Sequence, residues 1–239
     1  MAGGSLSKLF VVATPIGNLE DVSARALRVL EEVSAIAAED TRVTSRLLAR
    51  HNIRKPLISY RAPVERRGLP RVMAALDEGD VALVSDAGTP TLSDPGQALV
   101  TAAWAGGHTV VPIPGPSSIT AALSIAGYGG PGFSFLGYLP RKPGEMRRLF
   151  DSLREDPRPA VAFESPYRIH KSLGVLADML PDRSLTLTRE LTKLHEEVLR
   201  GTASQVLAAL GEPARGEFTL VISGVTHVLR KTHDSRLSK

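Results

Sequence analysis

Three short stretches concentrate residues that can hold a small molecule. They are TPIGN at residues 14–18, SDAGTPTLSDPG at 85–96 and PIPGPSS at 112–118. Each pairs turn formers with small polar side chains. Gly88 and Gly96 either take a positive φ or let a ligand approach the backbone, and Pro90 and Pro95 stiffen the chain between them. Asp86 and Asp94 either brace tight turns through nearby amides or bind ribose hydroxyls or a cationic ligand. Ser117 and Ser118 open a helix, as caps or as groups that also face a cofactor. Asn18 reads as a helix cap with Asp21 three residues on, which places Thr14 and Asn18 near a helix N-terminus, an anion-attracting position. None of the three is a G-x-G-x-x-G or Walker A loop, which weighs against simple NAD and ATP readings. A fourth stretch, RELTKLHEE, mixes acids and bases: Arg189, Glu190, Lys193, His195, Glu196 and Glu197.

These stretches need elements to aim them. Apolar strand patterns at 9–13, 34–38, 81–85 and 109–112 alternate with helix patterns at 20–31, 42–51, 97–105 and 117–126. That alternation predicts an α/β fold with a largely parallel sheet, whose ligands bind beyond the carboxyl ends of the strands. The three loops follow strands in that sense. GYGGPG at 127–132 breaks the pattern. Strands at 133–136, 160–163, 185–188 and 217–222 then alternate with helices at 144–153, 170–180 and 203–210. The expected organisation is two α/β domains, 8–127 with the cofactor loops and 132–225 completing a cleft. A flexible tail is expected at 226–239.

Composition narrows the class. The chain of 239 residues has no cysteine, which excludes disulfides, thiolate catalysis and Cys-ligated metals. Its histidines are scattered, without metal-ligand spacing. At 43% hydrophobic and 23% charged it has the balance of a water-soluble globular protein. No run is long enough to span a membrane, and the N-terminus reads as a first strand rather than a secretory signal, so a cytoplasmic location is expected. The net charge of +4 leans modestly toward polyanions.

The segments TPIGNLEDVSARAL, IAAEDTRVTSRLL, VALVSDAGTPTLSDPG, PIPGPSSITAALSIAG, FLGYLPRK, FESPYRI and RELTKLHEEVLRG resemble the tetrapyrrole methylase superfamily, in its ribosomal RNA branch. The likeness runs from about residue 8 to 224. It implies two α/β domains, S-adenosyl-L-methionine in the cleft between them, a homodimer and no metal. It also implies methyl transfer to the ribose 2′-OH of a cytidine, nucleotide 1402 of bacterial 16S ribosomal RNA. Mapped by motif, the cofactor side comprises Pro15, Asp86, Ala87, Gly88, Thr89 and Ser117, with Phe135, Leu136 and Phe163 flanking from the second domain. Tetrapyrrole-modifying members usually carry a glycine-richer first loop than T-P-I-G-N. The alternative, a tetrapyrrole or protein side chain as acceptor, is disfavoured on that ground.

Such a transfer needs alignment and, for a weakly nucleophilic 2′-OH, a nearby base. Glu39, Asp40, Glu164, Glu190, Glu196 and Glu197 are the acidic candidates, with Asp40, Glu190 and Lys193 the expected catalytic set. Asp40 reads equally as the cap of the following helix. For RNA, Arg42, Arg46 and Arg50 recur at helical spacing on one face. Arg61, Arg66, Arg67 and Arg71 form a second basic cluster, and Arg141, Lys142, Arg147 and Arg148 a third. Arg168 and Arg189 sit beside the expected cleft. Tyr60, Tyr138 and Tyr167 adjoin basic residues and read either as base-stacking platforms or as core.

Overall fold

The structure, a computed structural model, describes residues 7–61 and 65–225, except the side chains of 65 and 66. The expected tail at 226–239 and the Arg66 side chain lie outside the described residues.

The first half builds one parallel sheet from β1 (Lys8–Val12), β2 (Ala35–Ala38), β3 (Leu57–Ser59), β4 (Val81–Val84) and β5 (Thr109–Ile113), in the order β3-β2-β4-β1-β5. β2 and β4 are buried along their whole length, as central parallel strands must be. Alternate side chains feed opposite faces. On one face Ala82 and Val84 meet α1 (Ala24–Glu32) and α2 (Thr41–Arg50) through Leu30, Leu47 and Leu48. On the other, Val81 and Leu83 meet α3 (Glu65–Glu78) and α4 (Gln97–Ala105) through Val72, Leu76 and Leu99. The chain leaves β1 toward one edge and β4 toward the other, so these two neighbours form the switch point of the sheet.

The second half is a mixed sheet in the order β6-β7-β10-β8-β9, with only the β6–β7 pair parallel. Its strands are β6 (Ser134–Tyr138), β7 (Ala160–Glu164), β8 (Ser184–Arg189), β9 (Glu197–Thr202) and β10 (Phe218–Ile222). The helices α6 (Pro143–Ser152), α7 (Ile169–Met179) and α8 (Ala203–Ala209) cover one face. The other face receives α5 (Ser118–Ala126). Although α5 precedes the glycine-rich break, its Ile119, Ala122 and Ala126 pack on Val161 and Val221. Each half buries a core of its own, and α5 belongs by packing to the second sheet. An apolar helix face goes to whichever uncovered sheet surface is nearest, and chain position does not decide that.

Three elements have no counterpart in the sequence pattern. β3 is a three-residue edge strand. α3 carries Gly68 and Pro70 in its interior, residues that disguise helical periodicity. β9 is half polar (EVLRGT) and makes RELTKLHEE the turn of a β8–β9 hairpin. Capping also differs from the expected pattern. Asn18 Oδ1 accepts from Glu20 N and caps only a 3-10 turn, Leu19–Asp21, whereas Ser23 caps α1 through Ala26 N. No α-helical N-terminus therefore stands at Thr14. Tyr60 is fully buried in the first half's core, so it cannot stack on a base.

Candidate active site

The exits of β1, β4 and β5 lock together at one edge of the first sheet. Thr14 and Gly88 exchange backbone hydrogen bonds of 2.9 and 3.0 Å. Thr14 Oγ1 donates to the Ser85 carbonyl at 3.2 Å, and Ala13 N donates to the Ile113 carbonyl. Gly88 sits at φ 76°, where a Cβ would be strained. Gly115 passes so close that a Cβ there would lie 3.1 Å from that of Ala13. Beyond these exits the second half closes in. Asn18 N donates to Thr192 Oγ1 at 3.0 Å, and a Cβ on Gly17 would sit 2.5 Å from Lys193 Cγ. The β8–β9 turn therefore rests directly on the TPIGN loop.

A cavity of about 290 Å³ lies between the two halves. The first half supplies Ile16, Glu39, Asp86, Ala87, Gly88, Thr89, Asp94 and Ser117; the second supplies Tyr138, Phe163, Glu164, Thr188, Leu191 and Thr219. Phe163 anchors the aromatic wall, edge-on to Phe135 at 5.1 Å and to Tyr138 at 5.6 Å between ring centroids. Ser117 holds the N-cap position of α5 yet makes no side-chain capping bond, so its hydroxyl is free to face the cavity.

The floor is acidic. Glu39, Asp86 and Asp94 line it, and none forms an ion pair among the described residues. Burial pushes the Glu39 carboxyl up, opposed by the Asp86 N–H and reinforced by the charges of Asp86, Asp94 and Asp40. Burial likewise raises Asp94; the Ser85 hydroxyl opposes it, while Asp86 and Glu217 add to it. Tyr138 is raised by burial and by the acids Glu217, Asp94 and Glu164. The loop carrying Asp94 is strained: Thr91 and Ser93 take φ values of 73° and 72°. That conformation is costly for non-glycine residues, which hold it where surrounding packing dictates it.

Of the expected cofactor-side residues, the cavity gathers Asp86, Ala87, Gly88, Thr89, Ser117 and Phe163, with Tyr138 at its rim. It does not gather the rest. Pro15 is buried beside the lining, and Leu136 packs against the core under α6 to α8. Asp40 accepts from Arg42 N as the cap of α2 and pairs with the Arg42 guanidinium at 2.6 Å. Hydrogen bonding to that guanidinium holds its carboxyl far below the usual range, which makes it a feeble proton acceptor. Glu190 and Glu217 clamp Lys193 at 3.0 and 2.8 Å, outside the cavity for Glu190 and Lys193.

The expected substrate arginines separate into two kinds. Arg46 and Arg141 are exposed, as is Arg42 beyond its pairing with Asp40. Arg168 instead pairs at 2.5 Å with Glu164, whose side chain is fully buried, and donates to the Leu139 carbonyl. Arg189 donates to the Arg215 carbonyl and to Glu197 across the hairpin. Both guanidiniums thus hold the protein's own acceptors, unlike the exposed Arg46 and Arg141. Thr188 and Thr219 are lining residues that the sequence did not single out, and for Asp94 it left a turn-bracing and a ligand-binding role open. Asp94 was visible in SDPG, but nothing local separates a turn-bracing aspartate from one aimed into a cavity.

The family described as Tetrapyrrole (Corrin/Porphyrin) Methylases matches residues 8–207. Over 221 residues the chain is 43% identical to "Ribosomal RNA small subunit methyltransferase I" of Thermotoga maritima, covering 92% of this chain and 99% of that one. The protein of the same name from Neisseria meningitidis serogroup A is 45% identical over 226 residues, covering 93% and 77%. The chain belongs to the tetrapyrrole methylase family, in its ribosomal RNA small subunit methyltransferase I branch. Among solved structures, the Thermus thermophilus uroporphyrin-III C-methyltransferase complexed with S-adenyl homocysteine superposes with a TM-score of 0.64 at 20% identity, over 91% of this chain and 97% of that one. At that identity the likeness concerns the tetrapyrrole methylase fold: two α/β domains facing one cleft. No helix among the described residues is long and apolar enough to cross a membrane.

Proposed function

We propose that this methyltransferase moves the methyl group of S-adenosyl-L-methionine to the ribose 2′-OH of a cytidine, nucleotide 1402 in the bacterial count, of 16S ribosomal RNA. The observation that carries the reading is the interdomain cavity, with its unpaired acidic floor, in a chain 43% to 45% identical to the ribosomal RNA methyltransferases named above.

The lining suits the cofactor. When bound, S-adenosyl-L-methionine supplies a methyl group activated by a positive sulfonium. Glu39, Asp86 and Asp94 favour that charge, since unpaired carboxylates in a partly desolvated site attract a cation more strongly than in water. Gly88 and the small side chains of Ala87 and Ser117 leave room for close backbone approach. Ile16, Ile119 and Phe163 offer apolar surface to a planar base. The chain's main contribution is alignment, which is worth ~7–11 kcal/mol in well-oriented reactions.

On this reading the RNA lies across the rim. Tyr138, 58% exposed, is available for stacking on a splayed base. Arg42, Arg46 and Arg141 reach phosphates from exposed positions. The protein works in the cytoplasm as a homodimer; light scattering on the purified chain tests the latter. The activity is tested by supplying labelled S-adenosyl-L-methionine and small ribosomal subunits, then digesting the RNA. Label recovered as 2′-O-methylcytidine supports the proposal. Label found instead on a tetrapyrrole or protein acceptor replaces it with the alternative.

A further inference from the structure

Five carboxylates line the cavity, and their surroundings differ. Glu164 is occupied by Arg168, Ser172 Oγ and Ser165 N. Glu217 is tied to Lys193 and points largely to solvent. Asp86 accepts from Asp40 N within the expected cofactor stretch, and Glu39 accepts from Asp86 N behind it. The Ser85 hydroxyl lies close enough to Asp94 to favour its charged form, and its Oγ also donates to the Ala87 carbonyl at 3.3 Å. Asp94 lines the cavity beside a contact between the two halves. The neighbouring Ser93 Oγ would lie 3.5 Å from a Cβ on Gly137, the residue before Tyr138. Asp94 and the exposed Tyr138 thus line the same cavity from the two halves, where the RNA reading brings the acceptor nucleotide in.

We infer that the Asp94 carboxylate is the general base that takes the 2′-hydroxyl proton of the acceptor ribose. The assignment rests on the RNA reading above. In the step, the 2′-oxygen forms its bond to the methyl carbon as the methyl–sulfur bond breaks. The electron pair of that bond leaves with sulfur, which becomes a neutral thioether, and the hydroxyl proton passes to an Asp94 oxygen and then to water. A base is most effective when it is less acidic than an ordinary aspartate yet still ionised at the working pH. Half-burial and the neighbouring charges bias Asp94 in that direction. The groups facing it are Asp86 and Glu39 from the first half and Glu217 and Tyr138 from the second. The residues just before it, Thr91 and Ser93, take positive φ.

The test compares wild type, Asp94→Asn, Asp94→Glu and Ser85→Ala under single-turnover conditions on small subunits, across pH. S-adenosylhomocysteine affinity is measured by calorimetry, and the Asp94 carboxyl is titrated by carbon-13 NMR. Asp94→Asn should lose about 100-fold or more in rate while binding S-adenosylhomocysteine within threefold of wild type. Asp94→Glu should recover part of the rate. The wild-type rate should rise with pH through an inflection that coincides with the NMR titration and is missing in Asp94→Asn. Ser85→Ala should move the inflection upward, because the charged form loses a donor. A rate for Asp94→Asn within threefold of wild type overturns the assignment. So does a rate loss matched by an equal loss of S-adenosylhomocysteine affinity, or an NMR titration in the ordinary aspartate range. A wild type that binds S-adenosylhomocysteine but never methylates the RNA overturns the RNA reading itself, and is recognised before any variant is compared.

Discussion

Replacing Arg168 by Met separates a framework arginine from an RNA-binding one. Its guanidinium reaches Glu164 at 2.5 Å and the Leu139 carbonyl at 3.1 Å. The Glu164 side chain is fully buried, and that of Arg168 is 25% exposed. Met keeps the aliphatic stem and removes the charge. Among the described residues Glu164 then keeps Ser172 Oγ and Ser165 N as donors. Stranding one partner of a buried pair costs about 3–5 kcal/mol. The partial exposure of Arg168 lets water reach the gap and points to the lower end, near 3. The Leu139 carbonyl loses a donor worth about 1 more. In a protein of this size each kcal/mol moves Tm by roughly 2–4 °C, so the expected fall is roughly 8–16 °C. Glu164→Gln in the same chain should recover much of the loss, since no buried charge remains. Urea and thermal unfolding of the two single variants and the double variant measure the coupling. The loss should be nearly the same in low and high salt, as a buried pair is poorly screened. A loss below about 1 kcal/mol, together with a tenfold drop in RNA affinity, would refute the argument and return Arg168 to the RNA surface.

Gly88→Ala forces a side chain onto φ 76°; it should cost about 1–2 kcal/mol in denaturant unfolding and weaken S-adenosylhomocysteine at least tenfold, and unchanged calorimetry would contradict the close-approach role. Glu39 and Asp94 both have raised carboxyl values, so they take up protons above the ordinary range as pH falls. The cavity then loses negative charge, and S-adenosylmethionine should lose affinity relative to uncharged-sulfur S-adenosylhomocysteine as pH falls through the raised values; a constant ratio speaks against the acidic floor. The folded state also binds these protons more tightly than the unfolded chain, so their contribution to stability declines as pH rises through the shifted values. Glu39→Gln should accordingly raise Tm at pH 7. Alanine at Arg42, Arg46 or Arg141 should weaken RNA binding and flatten its log-log salt dependence by about 0.7–0.9 for each phosphate no longer neutralised. Filter binding at several salt concentrations measures both, and an unchanged slope for all three removes them from the RNA surface.

The sequence determined a good deal by itself. Apolar runs such as VALV and FVV predict buried strands, and α4 appears over the same residues as its sequence pattern. The turn-rich stretches after β1, β4 and β5 identify where a parallel sheet binds ligands, because that position follows from chain direction alone. The resemblance carried by TPIGN, SDAGTP and RELTK needs no coordinates. What the sequence could not determine is which side chains converge. Tyr60 beside Arg61 reads equally as a stacking platform or as core, and packing against α3 decides for the core. Arg168 in SPYRIHK is expected beside the cleft, but that Glu164, four residues earlier, is a fully buried partner only the fold shows. α5 belongs to the first half by order and to the second sheet by packing. Asp94 in SDPG reads equally as a turn former or a ligand group, and only the fold places it in the cavity lining. In each case local propensity sets the element. Partner and exposure are set by the tertiary fold, which brings strands and loops from distant parts of the chain within reach.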